Sequence, residues 1–115
     1  MTPAWQWAVV LADLDPTVGS EQAGRRPVLI VSNEDTNQAL PNVTVLPLTT
    51  TKRDLYPAEV LIPAAAAGQP HDSIIMAHQV RTISKKRIVK IYGYLEDGAL
   101  RQRVRDAIAE HLDLA

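Results

Sequence analysis

The chain has 115 residues, of which 46% are hydrophobic and 22% charged, with a net charge of −1; these values exclude a disordered chain, a fibrous repeat and a low-complexity tail. That length suits one domain, residues 1–115, with a single core. Cysteine is absent, which removes disulfides, thiolate metal sites and a cysteine nucleophile and makes the cytoplasm the expected compartment.

Residues 7–14 (WAVVLADL) are apolar and β-leaning and stop at Asp15-Pro16, so they are expected to form the first strand. Residues 1–10 show neither the basic start nor the long apolar run of a secretory signal, and no stretch approaches the roughly 20 apolar residues of a membrane span. Residues 15–26 (DPTVGSEQAGRR) are polar, contain Gly19 and Gly24, and are expected to form a long mobile loop. The β-branched run 27–32 (PVLIVS) has the continuous apolar character of a strand covered on both faces, and is expected at the centre of the sheet. Residues 33–40 read as a turn, and 43–48 (VTVLPL) as a strand ending at Thr49, with Pro47 breaking its ladder.

After a loop over residues 50–56, two further strands are expected at 58–62 and 73–80, joined by an alanine-rich connection closed by Gly68. A last strand spans 87–95 (RIVKIYGYL). Then the period changes: Leu100, Val104, Ala107, Ile108 and Leu112 recur every three or four residues after Asp97, a good N-cap, predicting one amphipathic helix. Arg101, Arg103, Arg105 and Glu110 fall off its apolar stripe. With two Trp, three Tyr and no Phe, the core must be filled by Val, Ile, Leu and Ala. The fold class is therefore mainly β with a C-terminal helix, a small, strongly bent antiparallel sheet or partly open barrel.

Residues 12–33, ADLDPTVGSEQAGRRPVLIVSN, followed by Val45-Leu46-Pro47-Leu48-Thr49-Thr50 and later by Gln79-Val80-Arg81-Thr82-Ile83, resemble the MazF/PemK family of bacterial toxin endoribonucleases. The blocks cover about half the chain residue by residue, and the element order covers nearly all of it. The resemblance implies an SH3-like barrel of about five to seven antiparallel strands and a homodimer. It also implies sequence-specific, metal-independent and cofactor-free cleavage of single-stranded mRNA, silenced by a cognate, MazE-like antitoxin protein in the same groove. Carried onto this chain, the family's catalytic arginine falls on Arg26 and its catalytic threonine on Thr49. Ser20, Glu21, Gln22, Arg25, Lys52, Gln79 and Arg81 are implied to bind the substrate. One departure stands at the start, where Gln6-Trp7-Ala8 replaces the family's usual Gly-Asp opening.

Cutting RNA without a metal lets the ribose 2′-hydroxyl attack its own phosphate, which requires removal of a proton, neutralisation of the phosphorane and protonation of the leaving 5′-oxygen. A guanidinium suits the second role, because its fork binds two phosphate oxygens at once. It can also give a proton to the departing alkoxide. A guanidinium loses its proton only above about pH 12, so it is a poor base; either Arg26 is unusually desolvated or water takes the first proton. Thr49 can donate one hydrogen bond to a phosphate oxygen and acts as a stabiliser.

Taken alone, each of these residues has an ordinary structural explanation. A threonine run after a strand is edge and turn chemistry, and Arg25-Arg26 is a solvated loop end. The basic Lys85-Lys86-Arg87 cluster is equally consistent with a solvated loop and with phosphate binding. His71, His78 and His111 lack metal-ligand spacing. Trp5 and Trp7, two apart, are expected on one strand face, covering a barrel end or a dimer contact. Two rival functions remain: a toxin of the same fold that acts on DNA gyrase without nuclease chemistry, and a catalytically silent relative that binds RNA or an antitoxin.

Overall fold

A computed structural model describes residues 3–114. Seven strands and two helices follow in the order β1 (Ala8–Asp13), β2 (Arg25–Ile30), α1 (Glu34–Ala39), β3 (Asn42–Thr49), β4 (Glu59–Ile62), β5 (Ser73–Met76), β6 (Arg81–Ser84), β7 (Ile88–Tyr94) and α2 (Gly98–His111). All pairings are antiparallel, in the order β4-β5-β3-β2-β1-β7, with β6 also paired to β3. β2 is central, as its apolar run requires.

The strand expected over 73–80 stops at Met76, and a further strand that was not expected follows it. Ala77–Gln79 forms a 3₁₀ turn, and the chain then resumes as β6 along the same edge of β3. β5 covers Leu48 and Thr49, whereas β6 covers Asn42 to Val45. Residues 33–40 are likewise more than a turn: Asn33 accepts hydrogen bonds from the Asp35 and Thr36 amides and so starts α1, with Glu34 and Asp35 in its first turn. At six residues and without an apolar stripe, α1 shows no periodicity to read.

Alternation along the central strands sends side chains into two separate cores. Val9, Leu29, Leu46 and Leu48 join Val60, Ile75, Leu95, Val104 and Ala107 in the core beneath α2. Ala8, Val10, Ala12, Val28, Ile30, Val43, Val45 and Ile83 form the other. Side chains of β1, β2, β3, β6 and β7 surround this second core, and the ring between β6 and β7 is completed by the 3₁₀ turn Lys85–Arg87 rather than by a described ladder. The barrel is thus an open, bent sheet.

Trp7 has a φ of 69° and ends the run of extended backbone, so Trp5 and Trp7 do not share a face: Trp7 enters the first core and Trp5 packs on the second. α2 begins as expected, with Asp97 accepting from the Leu100 amide at 3.0 Å, and buries Val104 and Ala107. Arg101 and Arg105, one turn apart, both lie over the Trp7 ring at 5.1 Å. Leu112 is exposed and extends the helical pattern without joining the core. The N-terminal segment is tied to α1 through Glu34, whose carboxylate accepts from the Trp5 and Gln6 amides. Burial opposes its charge, yet hydrogen bonds from Gln38, Gln6, Trp5 and Asn37 hold its pKa below the ordinary value.

Candidate functional site

The loop before β2 is pinned at its base, where Leu14 donates to the Gly24 carbonyl and the Gly24 amide donates to Asp15 Oδ1. Gly24 takes a φ of +73°, a turn that glycine makes without strain. The chain therefore enters β2 with Arg25 opposite Asp13 and Arg26 opposite Ala12. Across the sheet, β2 and β3 pair through Val28–Pro47, Leu29–Leu46 and Ile30–Val45. The ladder ends at Val28–Pro47, with Arg26 two residues before it on β2 and Thr49 two residues after it on β3, and by alternation both fall on the face of the second core. Arg26 is half-buried; its Nε donates to the Ala23 carbonyl at 2.8 Å, and it has no carboxylate partner among the described residues. Thr49 is only 9% exposed, and its hydroxyl lies 3.2 Å from the Thr51 hydroxyl.

Next to this row, a cleft of ≈190 Å³ is lined by Glu21, Gln22, Pro47, His78, Gln79, Val80 and Arg81. Glu21, Gln22, Gln79 and Arg81 thus come together from a loop and from the 3₁₀ turn and start of β6, nearly 60 residues apart in sequence. Two polar atoms of residues that line this cleft, Gln22 Oε1 and Arg81 Nη1, are buried without a hydrogen-bond partner among the described residues. Such groups are costly unless a ligand completes them. A larger cavity of ≈470 Å³ lies between β4 and α2, lined by residues such as Leu55, Leu61, Arg103 and Glu110. None of the residues implied in binding or catalysis lines it.

Sequence reasoning missed the group that braces the cleft from behind. The Glu59 side chain is fully buried at the start of β4 and accepts from Arg53 Nη1 at 2.7 Å, Arg53 Nη2 at 2.9 Å and the Tyr56 amide at 2.7 Å. Its Oε2 also lies 2.7 Å from His78 Nε2. The Arg53 fork is the main reason that the Glu59 pKa falls to about 2; burial works against it, and the His78 and Tyr56 bonds add to the lowering. The carboxylate in turn raises the pKa of Arg53, whose guanidinium also covers the Tyr56 ring at 4.3 Å. This clamp ties the loop after Thr49 to the 3₁₀ turn that carries His78 and Gln79. Only proximity of Arg53 and Glu59 across a Tyr-Pro turn hinted at it in the sequence.

The remaining residues divide. Ser20 and Arg25 are exposed and are not among the residues that line the cleft. Lys52 is exposed and lines clefts with Thr50, His71 and Asp72 instead, apart from Gln22 and Gln79. In the basic cluster, Lys85 donates to the Asn37 carbonyl and lies over Trp5, while Arg87 holds the Asp13 and Asp15 carbonyls; Lys86 is exposed. Among the described residues, no group of three or more His, Asp and Glu is placed to hold a metal ion, and no helix is long and apolar enough to cross a membrane.

An open barrel with a polar cleft at the end of its central strands defines the class of small toxin whose family model, the PemK-like, MazF-like toxin of type II toxin-antitoxin systems, matches residues 6–112. The chain belongs to that family. It is 40% identical over 90 residues to Endoribonuclease EndoA of Bacillus subtilis, covering 77% of this chain and 78% of that one. It is 35% identical over 107 residues to Endoribonuclease MazF9 of Mycobacterium tuberculosis, covering 89% and 90%. Among solved structures, the Mycobacterium tuberculosis toxin MazF-mt6 superposes with a TM-score of 0.77 at 31% identity over 94% of this chain and 98% of that one. A mycobacterial endoribonuclease in complex with its cognate antitoxin gives 0.79 at 25% identity over 99% and 98%.

Proposed function

We propose that this chain is an endoribonuclease toxin that cuts single-stranded RNA by attack of a ribose 2′-hydroxyl on the adjacent phosphate. One observation carries the reading: four residues implied in binding, Glu21, Gln22, Gln79 and Arg81, line one cleft next to the strand ends bearing Arg26 and Thr49, and two of them carry a buried polar atom unpartnered among the described residues. In this scheme the Arg26 guanidinium binds the scissile phosphate through its fork and neutralises the charge that develops on the phosphorane. Its own proton, or one relayed through it, passes to the departing 5′-oxygen, while solvent takes the proton of the 2′-hydroxyl. Thr49 donates a hydrogen bond to a phosphate oxygen. Ser20, Arg25 and Lys52 contact the flanking backbone. The products are a 2′,3′-cyclic phosphate and a 5′-hydroxyl, a balance that needs no redox partner.

The likeness to an endoribonuclease solved with its cognate antitoxin supports an antitoxin that covers this groove, and family membership supports a homodimer acting in the cytoplasm on mRNA. Incubation of the purified protein with single-stranded RNA in excess chelator tests the chemistry. Discrete cuts ending in 2′,3′-cyclic phosphate are expected; intact RNA across a degenerate pool would overturn it.

A further inference from the structure

One wall of the cleft is left without a role by the chemistry assigned to Arg26 and Thr49. His78 lines the cleft between Gln22 and Gln79, and its side chain is 28% exposed. A carboxylate accepts hydrogen bonds and never donates, so the hydrogen between Glu59 Oε2 and His78 Nε2 belongs to the imidazole. Arg53 meets the same carboxylate through two bonds, and in the neutral form of the imidazole a hydrogen on Nε2 leaves Nδ1 with its lone pair. Its tautomer is then set, and Nδ1 is the only hydrogen-bonding atom the ring retains for a ligand. The anchor is firm because Glu59 is itself held by Arg53 and the Tyr56 amide.

We propose that His78 is a specificity-determining residue of the RNA cleft, clamped by Glu59 so that its ring offers Nδ1 as an acceptor to a base with an amino group on its edge. This deepens the proposed function and rests on it. The other unpartnered atoms agree with the choice of base. Gln22 Oε1 is a second acceptor and Arg81 Nη1 a donor. Two acceptors and one donor complement adenine, cytosine or guanine, each of which sets an exocyclic amine beside an acceptor, better than uracil, whose edge is dominated by carbonyl oxygens. Leaving those atoms unmatched is what penalises the wrong base.

The test is cleavage of a degenerate single-stranded RNA pool by wild type, His78→Phe and His78→Gln, with product ends sequenced and thermal melts run in parallel. Wild type is expected to favour a base with an exocyclic amine over uracil by about tenfold at one position of its word. His78→Phe keeps an aromatic wall but has no acceptor; it should flatten that preference to about threefold or less and raise KM more than it lowers kcat. His78→Gln should recover part of the preference, since its amide can donate to Glu59 and still accept through Oε1. A folded His78→Phe protein with the wild-type word overturns the inference. If that variant fails to fold, the wild type decides: indifference to replacing the favoured base by its analogue without the amine overturns the inference as well. A wild type that cuts no RNA sinks the functional reading beneath it, whereas one that cuts but ignores the analogue sinks the inference alone.

Discussion

The protein uses its cations in two opposite ways. Arg53 gives both arms of its fork to Glu59 and its face to Tyr56, and Arg87 and Lys85 are engaged by backbone carbonyls. Among the described residues, Arg26, by contrast, has a single bond from Nε to Ala23, and Arg81 has a buried Nη1 with no partner. A guanidinium matched within the chain stabilises the fold; one left unmatched beside a cleft is available to an anion. Charge content alone does not separate the two, since the cluster of positive residues in sequence, Lys85 to Arg87, is the better paired.

The strongest way to break this contrast is Arg26→Ala. Removing the unmatched guanidinium should reduce kcat by about a thousandfold or more, in the range for loss of a main charge-stabilising donor, and leave the melting temperature nearly unchanged. Arg26→Lys keeps the charge but loses the fork, so it should recover only a small part. Single-turnover cleavage of a defined oligonucleotide measures both. Full activity in Arg26→Ala would remove Arg26 from the chemistry.

The matched side of the contrast predicts a stability effect instead. Glu59→Gln should destabilise the fold by about 2–4 kcal/mol, because Arg53 and His78 lose the ion they pair with. Acid should do the same to the wild type. The Glu59 pKa is about 2 in the folded chain against a reference of 4.5; between those values the unfolded chain binds a proton that the folded chain does not. Its contribution is therefore complete above about pH 4.5 and disappears as pH falls toward about 2, a loss of about 3 kcal/mol. Urea melts over that window, compared between wild type and Glu59→Gln, should show the variant with the flatter profile.

The same distinction explains what could be read in the sequence. β1, β2, β3 and α2 were legible because long apolar runs or a three-to-four spacing state their period directly. The helix α1 was not, since five polar residues and one alanine behind a single cap show no stripe, and β6 was hidden because its four residues, RTIS, hold a single apolar side chain. Glu21, Gln22, Gln79 and Arg81 were legible only as contiguous blocks of a family pattern. The Glu59 clamp carries no local signal, because its partners at 53, 56 and 78 meet only once β4 and β5 have paired. Trp5 and Trp7 misled for a related reason: a spacing of two implies one face only if the backbone is extended, and Trp7 is not.

Thr49→Val sharpens the contrast at smaller scale. Among the described residues the hydroxyl of Thr49 is bonded only to Thr51, so its loss should spare stability and lower kcat about ten- to thirtyfold, as expected for one neutral donor to a developing charge. The smallest effect belongs to Lys52, which stands next to Arg53 in the chain and opposite to it in role. Lys52 is exposed, forms no ion pair among the described residues and lies outside the cleft with Gln22 and Gln79. It can meet RNA only through the phosphate backbone, a contact without sequence information that salt screens. Lys52→Ala should raise KM about two- to threefold at low ionic strength, lose that effect as salt rises, and leave both the melting temperature and the cleavage word as they are. A changed word would put Lys52 inside the base-reading surface, and a stability loss like that of Glu59→Gln would show that neighbouring cations share one structural task, ending the division drawn between paired and unpaired charge.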